Sequence, residues 1–312
     1  MSSFTNNTTT YKLNTGASIP AIGFGSFANN GESGYEAILA ALKAGYRHID
    51  TAAAYGNEEE VGRAIKDSGI PREELFITTK FWQTQHRDPK GALELSLKKL
   101  KLDYIDLFLI HWPYPQIAKS SKEEDLFANS GEEPIFDEEW DITKTWGLVQ
   151  ELITNHPELV KAVGVSNFSI KHLNKLLQAE NFQITPAVNQ VEINPLLPNS
   201  EVLRFCKEKG IVVEAYSPLG SSGRHFPNPF FKNEEINSIA KERGVSVAQL
   251  LINWGVKRGY VVLPKSSNPQ RIADNLKDIK ITDSEFERIS GLIKTLGEHR
   301  TPTPAWIDFS NY

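Results

Sequence analysis

The chain has 312 residues, 40% hydrophobic and 23% charged, which supports a sizeable core and exceeds the usual size of one sandwich or bundle. A formal net charge of −5 argues against nucleic acid or an anionic membrane as partner, since phosphate surfaces are bound by basic patches. One cysteine, Cys206, excludes an intrachain disulfide, and with no signal-peptide pattern or long apolar span the expectation is a cytoplasmic protein.

In chain order, Met1 to Thr10 is rich in Ser, Thr and Asn and is expected to fray. Tyr11 to Leu13 and Ser18-Ile19 flank a turn at Asn14 to Ala17 and predict a short hairpin. Eight short apolar runs follow: Ile22–Gly25, His48–Asp50, Phe76–Lys80, Ile105–His111, Ala162–Asn167, Ala187–Ile193, Val212–Ser217 and Val261–Ser266. Several lack alternation, as strands buried on both faces should. Amphipathic stretches separate them, for example Tyr35, Ile38, Leu39 and Leu42, then Leu93, Leu97 and Leu100, and later Val247, Leu250, Leu251 and Trp254. Pro89 and Pro269 suit the first turn of a helix, and Gly69 and Gly210 suit a helix end.

Eight strand–helix units fit an open doubly wound sheet or a closed (β/α)8 barrel. The open sheet calls for a Gly-rich phosphate loop after an early strand, and Gly23-Phe24-Gly25-Ser26-Phe27-Ala28 lacks its third glycine. A barrel needs no such loop and gathers reactive groups at its C-terminal strand ends. The expectation is therefore an α/β fold, a single (β/α)8 (TIM) barrel domain over 1–312 with an N-terminal β-hairpin and long substrate loops. Those loops are the acidic stretch Tyr114 to Asp141 after the fourth strand and the Pro- and aromatic-rich segment 295–312.

Asp50, Lys80 and His111 each end a strand, and Tyr55 lies in the loop that follows Asp50. A phenol near its usual pKa of about 10 is a poor acid at neutral pH, and an adjacent ammonium favours its ionised form. Lys80 supplies that ammonium, Asp50 holds it, and His111 can bind a carbonyl oxygen, so the set suits proton donation to a developing alkoxide. Each group also has a structural reading: an interior ion pair, a packed aromatic, or a histidine satisfying a backbone group. A Schiff-base lyase on a desolvated Lys80 is a sharper rival. The seven histidines show no HExxH or paired-Cys spacing, so no metal is expected.

Gly45-Tyr46-Arg47-His48-Ile49-Asp50-Thr51-Ala52 through Glu58 and Val61-Gly62, Gly164-Val165-Ser166-Asn167-Phe168, and Pro264-Lys265-Ser266 with Arg271 resemble three ordered signatures of the aldo-keto reductases. The look is that of fungal NADP-dependent carbonyl and aldehyde reductases. The resemblance implies NADPH as cofactor and Tyr55 as general acid, with Asp50, Lys80 and His111 as its partners. It further implies that Ser166, Asn167 and Gln190 bind the nicotinamide carboxamide, while Tyr216 stacks on the ring. Gly25, Ser26, Ser217, Leu219 and Ser221 would border the cofactor, and Lys265, Ser266, Arg271 and Asn275 would bind its 2′-phosphate and adenine end. Phe27, Trp82, Trp112 and Trp306 would wall the pocket of a small carbonyl substrate. A monomer or weak homodimer is implied, and a non-turnover NADPH-binding redox sensor is the alternative within the family. Where many relatives carry an aspartate that clasps the pyrophosphate, this chain has Gly223.

Overall fold

The computed structural model describes residues 4–120, 134–220 and 228–301. Strands β1 (Thr10–Lys12) and β2 (Ser18–Pro20) form the antiparallel hairpin, with Tyr11 opposite Ile19. The main sheet holds eight parallel strands: β3 (Phe24–Gly25), β4 (His48–Asp50), β5 (Phe76–Phe81), β6 (Leu107–Ile110), β7 (Val163–Ser166), β8 (Val188–Glu192), β9 (Val212–Tyr216) and β10 (Val261–Val262). They pair in sequence order from β3 to β10. The two edges then meet. Ile22 bridges Val262, Gly23 N–H donates to the Val262 carbonyl at 2.9 Å, and Gly25 N–H donates to that of Pro264 at 3.0 Å. Closure removes both edges, and the open-sheet alternative falls.

The strands are shorter than the apolar runs predicted, most of all at the seam. There β10 keeps two residues of Val261–Ser266, because Leu263 and Pro264 reach their neighbours through single backbone bonds rather than a ladder. Ile105 likewise makes only an isolated bridge, to Val160.

Outside the barrel lie α1 (Gly31–Ala44), α2 (Glu58–Ser68), α3 (Pro89–Leu100), α4 (Ile142–Asn155), α5 (Ile170–Leu177), α6 (Ser200–Glu208), α7 (Glu234–Arg243), α8 (Val247–Arg258), α9 (Pro269–Asn275) and α10 (Asp283–Leu296). Pro89 and Pro269 open α3 and α9, where a missing N–H costs nothing, and the preceding Asp88 and Asn268 cap both helices. Gly69 ends α2 at φ +67, while α6 stops at Glu208 and Gly210 turns away at φ +70. Gly62 answers to packing: a Cβ there would run into the Leu100 carbonyl of α3. On α8 the stripe Val247, Leu250, Leu251 and Trp254 is buried, with Trp254 stacked on Phe286 of α10 at 6.0 Å. Each such Leu contributes roughly 1.5–3 kcal/mol.

One expectation changes. The N-terminal stretch is tied down from Thr5 on: the Thr5 carbonyl accepts from Asp278 N–H, Asn7 N–H donates to the Leu276 carbonyl, and Asn6 bridges Lys277. Its polar side chains are what hold it, since Asn6 also donates to the Ala44 carbonyl and accepts from Lys277 Nζ, both at 2.8 Å. The loop after β6 is held at both of its described ends. Gln116 pairs with Phe136, Ile117 N–H donates to the Ile135 carbonyl at 2.9 Å, and the Arg87 guanidinium grips Asp137 through two bonds. Its middle, 121–133, lies outside the described residues.

Candidate active site

Strand parity builds the site. Along β5 the odd residues Ile77 and Phe81 join the core beneath the helices, while Phe76, Thr78 and Lys80 take the opposite parity, with Phe76 in the separate apolar cluster inside the barrel. Lys80 thus sits near the C-terminal end of the interior, fully buried. Its ammonium has three hydrogens and uses all of them: on Asp50 Oδ1 at 2.8 Å, on the Thr51 carbonyl at 2.9 Å and on the Tyr55 hydroxyl at 3.3 Å. Burial alone would lower the Lys80 pKa, yet Asp50 and Tyr55 outweigh it and raise it. A charged, fully hydrogen-bonded amine is a poor nucleophile, which counts against the lyase.

Tyr55 sits in a 3-10 turn, Ala53–Tyr55, closed by Gly56 at φ +66. Its ring stands edge-on to His111 at 5.7 Å and to Phe27 at 5.1 Å. Its pKa moves opposite to the sequence expectation. Burial raises it, and the downward pull of the Lys80 ammonium only opposes part of that rise. The phenol is therefore firmly protonated, and Lys80 acts on the phenolate as it forms. Burial, followed by the Lys80 charge, holds the His111 pKa well below its usual value, so the ring is a neutral imidazole able to donate to an oxygen. Trp82 also packs against it, edge-on at 5.2 Å.

The groups around the mouth are interlocked. Asn57, whose position suits a helix cap, instead cross-links three segments: its amide donates to the Ser26 and Asn29 carbonyls and its oxygen accepts from Thr51. Ser166 Oγ donates to the Gln190 carbonyl, Asn167 Nδ2 to the His111 carbonyl and Ser166 Oγ, and the Tyr216 hydroxyl to Asn167 Oδ1. Asn167 and Ser217 turn the chain out of their strands at φ +62 and +49. Gly164 lets β7 approach β8, since a Cβ there would stand 2.6 Å from the Val188 carbonyl.

Farther along the rim, Lys265 and Arg271 are exposed, without an acidic partner among the described residues, and flank Ser266 and the buried Asn275. Two uncommitted cations suit a phosphate. The buried Ser26 Oγ has no hydrogen-bond partner, and Gly25 fits the seam with Leu263 and Pro264. Leu219 is half-buried against the core. These positions fit a dinucleotide phosphate laid across the rim. Phe27 is 64% exposed beside Tyr55, and Trp82 and Trp112 are half-buried. Ser221, Gly223 and Trp306 lie outside the described residues.

Sequence reasoning missed the residues beneath. Glu214 of β9 is fully buried inside the barrel, bonded to Gln190 Nε2 at 2.8 Å and 3.6 Å from His48 Nε2, which also contacts Thr78 Oγ1 at 3.1 Å. The available signal was a lone carboxylate in Val212-Val213-Glu214-Ala215, two residues before Tyr216.

Residues 21–294 match the model of the aldo/keto reductase family. Among curated proteins the chain is 52% identical to the aldehyde reductase YPR1 of Saccharomyces cerevisiae over 97% of both chains. It is 51% identical to a glycerol 2-dehydrogenase (NADP(+)) of the same yeast over 95% of each. A glycerol 2-dehydrogenase (NADP(+)) of Hypocrea jecorina is 46% identical over 93% of each. With the closed barrel and the Asp50–Lys80–Tyr55–His111 mouth, these matches establish that the chain belongs to the aldo/keto reductase family.

Proposed function

We propose that the chain reduces aldehydes and ketones to alcohols with NADPH, Tyr55 giving the proton. The observation that carries this reading is the bond from the buried Lys80 ammonium to the Tyr55 hydroxyl, with Asp50 clamping the ammonium from the other side. When bound, NADPH supplies the hydride, which no side chain carries. Ser166, Asn167, Gln190 and Tyr216 would hold the nicotinamide; Gly25, Ser26, Ser217 and Leu219 would border the dinucleotide; Lys265, Ser266, Arg271 and Asn275 would take its 2′-phosphate end.

The chain's own residues do the rest. Neutral His111 and the Tyr55 hydroxyl bind the carbonyl oxygen from two sides, polarising it. As negative charge grows there, the alkoxide becomes more basic than a phenolate and takes the Tyr55 proton. Lys80 stabilises the phenolate left behind, and Asp50 keeps Lys80 charged. Phe27, Trp82 and Trp112 make an apolar, aromatic wall that excludes water. Small carbonyls related to glycerol join aromatic aldehydes as candidate substrates, given the relatives' names. With Cys206 buried and unpaired, a reducing compartment fits, and we place the protein in the cytoplasm as a monomer or weak homodimer.

The test is Tyr55→Phe. Consumption of NADPH with a reactive aromatic aldehyde should fall roughly 10²–10⁴-fold, the worth of a positioned acid, with NADPH still bound. An unchanged rate rejects Tyr55 as the acid. Tight NADPH binding without turnover across a broad carbonyl panel would favour the sensor reading.

A further inference from the structure

Gln190 carries a side-chain amide whose two ends differ in chemistry, so its orientation decides what it offers a ligand. Its Nε2 donates to Asp50 Oδ2 at 2.8 Å and to Glu214 Oε2 at 2.8 Å. Both hydrogens are consumed by carboxyl groups, one on β4 and one on β9. The reverse orientation would set the amide oxygen against Asp50 Oδ2, an oxygen of the carboxylate paired with Lys80 that has no hydrogen to give, and would take Nε2 away from both acceptors. The oxygen Oε1 is therefore turned away from Asp50 and Glu214, and among the described residues no donor is bonded to it. Asp50 holds Lys80 through its other oxygen and meets only one of the two amide hydrogens, and Glu214 supplies the acceptor for the second. Glu214, fully buried, accepts the second hydrogen through Oε2 and lies 3.6 Å from His48 Nε2 through its other oxygen.

We propose that Glu214 is a positioning residue for cofactor recognition: together with Asp50 it locks the Gln190 amide so that Oε1 is presented as an acceptor to the N–H of the nicotinamide carboxamide. The inference rests on the assignment of Gln190 to the carboxamide made above. It adds a residue that touches neither substrate nor reacting atoms and acts through Gln190. A carboxyl is suited to the task in either protonation state, since its Oε2 accepts from Gln190 whether or not Oε1 carries a proton, and a glutamine at 214 would accept in the same way.

The experiment is equilibrium binding, followed by tryptophan-fluorescence quenching, of NADPH and of its 3-acetylpyridine analogue. The analogue replaces the carboxamide NH2 by a methyl group and cannot donate to Oε1. The wild-type protein should prefer NADPH by roughly 3- to 10-fold, the worth of one neutral hydrogen bond. Glu214→Gln, which keeps an acceptor, should retain that preference. Glu214→Leu and Gln190→Leu should each bring the two affinities together, chiefly by weakening NADPH and sparing the analogue. Should Glu214→Leu fail to fold, Glu214→Met gives the same loss of acceptor on an unbranched chain. A wild-type protein that shows no preference sinks the carboxamide assignment of Gln190, and this inference with it. A preference lost in Gln190→Leu but kept in Glu214→Leu or Glu214→Met overturns the role of Glu214 alone.

Discussion

At the N-terminal end of the barrel interior, Leu13 and Ile19 of the hairpin meet Phe76, Leu107, Leu109, Val188 and Val261 in an all-apolar cluster. A few residues farther along the same strands, Lys80, His111, Gln190 and Glu214 fill the other end with charge and hydrogen bonds. The strands are continuous and the parity is the same: Phe76, Thr78, Lys80 on β5, and Val188, Gln190, Glu192 on β8. What changes is what each end must do. The lower end is plugged, so apolar burial there contributes stability and nothing else. The upper end buries a paired ion whose desolvation costs offset much of its attraction. A chain that retains such a pair beneath its mouth spends stability on chemistry.

Lys80→Met breaks the polar end and should have the largest effect. It leaves Asp50 buried without its cation and Tyr55 without the ammonium that stabilises its phenolate. Turnover should fall by about 10²–10⁴-fold, and denaturant melts should show a loss of roughly 3–5 kcal/mol. A variant that is inactive yet as stable as wild type would show that the ion pair costs as much as it contributes.

Leu107→Ala tests the apolar end. Leu107 is fully buried in the plug, so the truncation should cost about 2–5 kcal/mol. Leu107 is itself no group of the mouth and pairs with Thr78, two residues below Lys80, so kcat at a temperature well below the melt should stay within about twofold of wild type, a change worth only a few tenths of a kcal/mol. A tenfold fall in kcat would mean that the two ends are mechanically coupled after all.

Much of this was legible in the sequence. The eight runs, the prolines opening α3 and α9 and the Asp50/Lys80/His111 spacing led to the barrel and to the mouth without coordinates. Parity was not legible, because strands buried on both faces read as unbroken apolar runs, and Thr78 or Leu109 looks the same on either face. The fate of Glu214 was hidden for the same reason. A carboxylate in a strand tells nothing of Gln190, twenty-four residues away, until the strands pair and set the two side by side. The direction of the Tyr55 shift was missed because the sequence names the cation but not the degree of burial, and burial wins.

Glu214→Gln sharpens the comparison with the gentlest change. Asp50 from β4, Lys80 from β5, Gln190 from β8 and His48 from β4 all face this carboxyl. Burial first, then the Asp50 charge, pushes the Glu214 pKa up to about 8 from its ordinary 4.5, against the weaker opposing effects of Gln190 and Lys80. Between those values the unfolded chain has released a proton that the folded protein keeps. The contribution of a neutral Glu214 to stability is thus fully present below about 4.5 and is lost as pH rises through about 8. Burial moves His48 the other way, down to about 3, so its contribution is present above its ordinary 6.5 and is lost on acidification. Comparing the variant with wild type removes that acidic limb, which both share. Glutamine cannot ionise, so Glu214→Gln should gain on wild type as pH rises across this window, by at most about 1.4 kcal/mol per pH unit. Denaturant melts across that range check it, and two stability curves that run parallel would mean that Glu214 is already ionised at neutral pH.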